Sequence, residues 1–389
     1  MQTFDWIVVG NGLAGAALSY ELARAGLSVL LLDQYPQPAI ATRYSYGGIP
    51  YWSGTTPLTR QLCQEGKARH QVLSEETGHD TEFRELDLLL TIAPDQDPQQ
   101  AARAYASTET PPHLIDAQEA AALEPQLNAG AIAGALTVRH GHVSPTAMVR
   151  AYNQGFQRLG GQWIIAPVTG LVRVGDRVTG VTTPTQAYAA GQVAIAAGAY
   201  TRSLLSAIGL KVPVYFTQAE VVETPPVEFT FRTLMMPAVL TRARLENQGG
   251  EADAQWDQAD LELVPPILDT GLIQFRDRHL CIGQISRIQT TLEPALDADR
   301  STRQLYAEVG RLVPAIASVP GQWHSCPVAF SGDGLPLVGP VPHLTGVSIF
   351  SGFSGPFAYV PSTAVHFAQW ASGSPSSVVD ALSPQRFVP

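Results

Sequence analysis

The sequence predicts an α/β fold: a Rossmann-like parallel sheet assembled from discontinuous stretches of chain, with a second domain inserted between them. Two observations carry this reading. The first is a strand–turn–helix–strand unit at "IVVGNGLAGAALSYELARAGLSVLLLD", Ile7 to Asp33. The second is a recurrence of strands and helices of that kind at 144–200 and near 345–370, with strand-rich stretches between. One domain built from three segments explains the recurrence better than three separate domains do.

Each element of the opening unit has a mechanical reason. Ile7 to Val9 is a short β-branched strand, and Gly10, Gly12 and Gly15 follow in G-x-G-x-x-G spacing around Leu13 and Ala14. Such glycines serve a tight turn, close backbone approach to a pyrophosphate, and close helix–strand packing. The helix carries Leu18, Leu22 and Ala25 on one face, and Gly26 ends it. Its N-terminal amides and dipole favour phosphate. Asp33 ends the second strand, 18 residues beyond Gly15, where a carboxylate accepts from a ribose hydroxyl; Gln34 follows it. This is a dinucleotide site, and the motif alone does not separate NAD from FAD.

Further along, residues 58–77 have helical character, "ELDLLLTIA" (85–93) reads as a strand, and "DPQQAARAYASTE" and "DAQEAAALEPQL" read as helices. Ser144-Pro145 and Gly160-Gly161 bracket another helix. "GQVAIAAGAY" is a buried strand of small residues suited to close ligand approach. The polar, acidic run 241–262 reads as a surface excursion, with docking through Trp256 as the alternative.

Composition narrows the function. A length of 389 residues allows two or three domains, and 45% hydrophobic with 15% charged residues supports a substantial core. The net charge of −10, without a basic cluster, argues against nucleic acid as partner. Cys63, Cys281 and Cys326 lie far apart and form no disulfide framework. No apolar run reaches membrane-spanning length, and a motif starting at residue 7 leaves no room for a signal peptide, so the expected compartment is the cytoplasm. His140 and His142 in "RHGHV" read as a strand-end turn rather than a metal site. "GFSGP" lacks the final glycine of a nucleophile elbow, which sets aside a hydrolase at Ser354.

Nearly the whole chain resembles the FAD-dependent amine oxidoreductases of the D-amino-acid oxidase, glycine oxidase and sarcosine oxidase type. The carrying segments, in order, are "ATRYSYGGI" (41–49), "HGHVSPTAMVRAYNQGFQRLGGQW", "PVTGLVRVGDRVTGV", "AIAAGAYTRSLL", "GDGLPLVGP" and "SGFSGPFAYVPSTAV". The resemblance implies FAD as cofactor. It places Thr42, Arg43, Gly47, Gly48 and Ile49 along the flavin, Val168 on the adenine, and Ala197 and Gly198 in the strand–turn. Gly352, Phe353, Ser354, Gly355 and Phe357 then close over the isoalloxazine. For Arg43 the expected role is the cofactor's phosphate or ribose, against a plain loop arginine. Pro361 is expected at a helix start whose positive end faces the flavin.

The same resemblance implies an FAD-binding domain from 1–75, 143–215 and 325–389, and an α+β substrate domain with a large mixed or antiparallel sheet from 76–142 and 216–324. It implies oxidation of an amine or amino acid C–N bond by hydride transfer to flavin N5, hydrolysis of the imine, and reoxidation by dioxygen or another acceptor. A flavin dehydrogenase feeding a quinone or protein, and a non-catalytic FAD-binding subunit, stay open, as does homo-oligomerisation. The substrate end departs from the pattern: Val328 and Ser354 stand where arginines clamp a carboxylate, and the lysine position falls near Tyr359. Replacement pocket residues are sought in Arg276, Tyr46, Tyr51 and Tyr359, the tyrosines competing with simple aromatic packing. Cys326 has the spacing of a covalent flavin attachment, against a buried free thiol.

Overall fold

Alternation along the first strand, Thr3–Val9, divides the interior into two layers. Trp6 and Val8 face one way, into a cluster with the helices Leu13–Arg24, Pro145–Arg158 and Pro356–Ala371. Ile7 and Val9 face the other, into a cluster with Val193, Leu337, Val347 and Ile349. The computed structural model describes residues 3–388.

The first sheet has eight strands. Thr3–Val9 pairs in parallel with Ala187–Ile195 and Val29–Asp33; these pair in parallel with Val347–Ser351 and Gln162–Ile165 respectively. Leu337–Pro340 runs antiparallel beside Val347–Ser351, and the hairpin Gly170–Val174 with Arg177–Thr182 attaches to Ala187–Ile195. The parallel strands therefore come from separate parts of the chain, brought together by crossover helices.

The second sheet has nine strands. Gln322–Ser331, Val214–Glu223, Leu280–Gln289 and Glu262–Gln274 form an antiparallel series. Thr233–Pro237 continues it and pairs in parallel with Arg84–Ile92, which runs antiparallel to Gly134–His142. His113–Ile115 and Gly48–Ile49 complete the sheet. Gln322–Ser331 pairs along its length with Val214–Glu223, so this strand crosses residue 325 wholly within the second sheet.

Two local expectations are corrected. Pro356, not Pro361, opens the last long helix, and Pro361 lies inside it. A proline there leaves the carbonyl four residues earlier without its helical donor. That carbonyl is Phe357's, and the buried His70 ring takes it, Nε2 lying 2.7 Å from the oxygen. The run 241–262 is not a simple surface excursion either. Thr241–Glu251 is a helix that buries Leu245, Glu246 and Gly249, and Trp256 is buried with its Nε1 donating to Gly249 O at 2.8 Å. His140 and His142 lie within Gly134–His142, both buried; their Nδ1 atoms accept from Trp52 Nε1 and Arg84 Nε.

Candidate functional site

The glycine turn after the first strand opens a cavity of about 290 Å³. Gly10 has φ +105° and donates to Leu32 O at 2.8 Å, which tethers the turn to the second strand. A Cβ on Gly15 would stand 1.7 Å from Gly10 O, so the helix packs directly on the turn. Asp33 Oδ2 accepts from Asn11 N at 2.5 Å and Oδ1 from Tyr35 N at 2.8 Å. Burial raises the Asp33 pKa while these amides oppose the shift. The Thr42 hydroxyl accepts from Leu13 N at 3.1 Å, so the first helical amide is already capped. Gly10, Gly12, Leu13, Ala14, Asp33, Gln34, Thr42, Val168, Ala197 and Gly198 all line this cavity.

A second cavity of about 190 Å³ adjoins the first. Leu13, Ala14, Ala41, Thr42, Gly198 and Ala329 line both, so the two form one elongated space. The inner end is walled largely by apolar residues, among them Ala219, Val221, Val328, Phe353, Pro356, Phe357 and Val360. Gly352 and Ser354 also line it, and Gly355 caps the helix Pro356–Ala371 beside them.

The remaining expected residues divide. Tyr46 lines the inner cavity, and its hydroxyl is buried without a hydrogen-bond partner. Burial raises its pKa well above the usual phenol value. Arg43 borders neither cavity: its guanidinium grips Glu223 at 2.6 and 3.0 Å and is not available to a phosphate. Arg276 is likewise elsewhere, on Asp80 Oδ2 at 2.9 Å and Phe83 O at 3.1 Å. Tyr51 donates to Glu85 Oε1 at 2.5 Å beneath the Lys67 ammonium. Burial is the main cause of the raised Tyr359 pKa, with the Cys63 thiol adding to it. Gly48 and Ile49 pair with His142 and Gly141, and Gly47 O accepts from Val143 N. None of these last five borders either cavity.

Cys326 lines the inner cavity, and burial pushes its thiol up to about 12. A thiol held protonated is a poor nucleophile. Acid precipitation of the yellow protein is therefore expected to leave flavin in the supernatant; flavin retained in the pellet by wild type, but not by Cys326→Ala, reverses this.

Asn11, Gln284 and Arg242 were not singled out from the sequence, whereas Tyr44, which shares an aromatic run with Tyr46, Tyr51 and Trp52, was a pocket-wall candidate competing with plain aromatic packing. Asn11 lies on the turn with both side-chain amide atoms buried and unpartnered. Tyr44, Gln284 and Arg242 line the inner cavity. For Arg242 a signal existed: Arg242, Leu245, Glu246 and Gly249 follow the i, i+3, i+4, i+7 spacing of one helix face.

A family model described as DAO: FAD dependent oxidoreductase matches residues 5–370. The chain belongs to this family. Its cofactor is FAD, and the residues present fit it: the space is long and continuous, starts at a glycine turn, and presents the unpaired Asn11 amide. Among similar proteins is a glycine oxidase of Pseudomonas aeruginosa, 27% identical over 89% of this chain and 88% of its own length. The mitochondrial dimethylglycine dehydrogenase of Mus musculus is 26% identical over 98% of this chain. The chain spans only 44% of that relative's length. The glycine oxidase structure from Geobacillus kaustophilus superposes with a TM-score of 0.81 at 20% identity, each chain fully covered, which shows the shared fold. In this DAO-family protein, no helix among the described residues is long and apolar enough to cross a membrane.

Proposed function

We propose that this DAO-family flavoprotein oxidises the C–N bond of an amine or amino acid. The observation that carries the reading is the continuous space running from the glycine turn to an apolar-walled inner end with one arginine in its lining. The glycine oxidase and dimethylglycine dehydrogenase relatives support it. When bound, FAD supplies the hydride acceptor at N5. The chain's part is to orient substrate and exclude water: Ala219, Val221, Phe353, Phe357 and Val360 make a dry wall, while Tyr46 and Arg242 offer polar contacts. The substrate loses a C–H hydride, and water cleaves the resulting imine to a carbonyl compound and a free amine. The three buried, unpaired cysteines support a reducing compartment, the cytoplasm.

The test is an absorption spectrum of purified protein before and after anaerobic addition of amines and amino acids. Flavin bands bleached by a member of the panel are the expected result. A fully loaded flavin that no member bleaches overturns the activity and favours the non-catalytic subunit. The dehydrogenase relatives favour a second reading of the oxidative half, in which a quinone or protein takes the electrons. Dye reduction without oxygen consumption identifies that case.

A further inference from the structure

We infer that Arg242 reads a substrate carboxylate, so that the substrate is an amine bearing a carboxylate group held by a helix-borne guanidinium. This deepens the proposed function and rests on its assignment of the inner cavity as the substrate end. Val328 and Ser354, at the positions where the resemblance looks for arginines, line the same cavity and cannot form a bidentate clamp. Arg242 enters that cavity from a different element, the helix Thr241–Glu251.

The geometry leaves the guanidinium half engaged. Its Nε donates to Glu246 Oε1 at 2.9 Å, and among the described residues Nη1 and Nη2 make no hydrogen bond. A guanidinium can serve one carboxylate side-on while its terminal fork receives another. Glu246 is buried, and its Oε1 also accepts from the Thr217 hydroxyl at 3.3 Å. An ordinary i,i+4 surface pair is exposed at both ends; here the anion is buried, and the cation keeps 33% of its side-chain surface accessible and lines the cavity. Burial works against the charge, but Glu246 and Asp269 hold the guanidinium protonated. The unpartnered Tyr46 hydroxyl, on the wall of the same cavity, is a second donor for the carboxylate. Glu246 is thus a positioning residue.

The experiment titrates the FAD-loaded protein with propionate and, as control, propionamide, following the visible flavin spectrum. Wild type is expected to bind propionate saturably and propionamide weakly. Arg242→Met, with its flavin retained, is expected to bind propionate roughly 100-fold more weakly, and Arg242→Lys roughly 10-fold, because an ammonium keeps charge but loses the fork. Glu246→Gln removes the competing anion and is expected to tighten propionate several-fold, an effect opposite to that of structural damage. Unchanged propionate affinity in Arg242→Met overturns the inference. Should that variant lose flavin, Arg242→Lys and Glu246→Gln decide: wild-type affinity in both is the overturning result. Arg242-dependent propionate binding without amine bleaching keeps this site and sinks the activity. Bleaching that ignores both the carboxylate and Arg242 keeps the activity and sinks this site.

Discussion

Gly15→Ala gives a colourless protein. The new methyl group would meet Gly10 O at 1.7 Å; that oxygen is backbone and a Cβ is fixed by its own backbone, so no side-chain rotation relieves the overlap. Either the helix Leu13–Arg24 moves away from the turn or the turn itself deforms, and each displaces the amides proposed to hold the pyrophosphate. Overpacking of this kind costs about 1–3 kcal/mol or more, before the lost cofactor contacts are counted. Gly12→Ala is the instructive comparison. There the methyl group meets only the Thr42 hydroxyl at 3.1 Å, so the chain folds, but on the proposed assignment of the turn it would occupy the approach path of the phosphates. The expected pattern is loss of flavin bands in both variants, with thermal stability of the flavin-free protein lowered in Gly15→Ala and nearly kept in Gly12→Ala. Wild-type flavin content in purified Gly15→Ala contradicts the assignment of the turn.

Acid is expected to unfold the protein through its buried histidines. Burial lowers the His70 pKa to about 4, despite its contact with Phe357 O, and lowers that of His140 to about 3. In the unfolded chain each titrates near its ordinary value of 6.5. Between those limits the unfolded state binds more protons, so stability is complete above about pH 6.5 and falls as pH drops toward 4. For His70 alone the shift corresponds to a loss of order 3 kcal/mol. Urea midpoints at pH 7.5, 6 and 5 measure it. His70→Gln isolates the residue: its amide nitrogen replaces ring Nε2 as the donor to Phe357 O, so stability at pH 7.5 is largely kept, and its slope below pH 6.5 is shallower because the amide does not titrate. Parallel slopes for the two proteins exclude His70 as an acid-sensitive group. Because Phe357 lines the inner cavity, acid loosening at His70 also reaches the proposed site.

Legibility in the sequence followed contact range. The helix Pro145–Arg158 was readable because Ser144 caps Ala147 N three residues away. The helix Ala117–Leu123 was readable from Asp116 and Glu119, which cap each other's backbone. Partners far apart in the chain were opaque. Arg43 was expected on the cofactor because its neighbours are, yet Glu223, 180 residues away, holds it. Pro361 suggested a helix start because a proline costs nothing there; inside the helix its cost is met by His70, a residue of Pro57–Thr77. The acidic run 241–262 looked solvated because charge count says nothing about which helix face is covered.

What the sequence by itself determined is the nucleotide half: the turn at Gly10, Gly12 and Gly15, the carboxylate of Asp33, and the recurrence that made the first sheet discontinuous. These are set within about one supersecondary unit, where steric limits on glycine turns and the periods of strand and helix are strict. Only the tertiary structure decided the inner end. It joined two cavities through Ala41, Thr42 and Ala329, kept Arg276 and Tyr51 on surface partners, and turned Arg242 inward. The physical reason is that a side chain's surroundings at that end come from strands and helices hundreds of residues apart, whose packing no local pattern encodes.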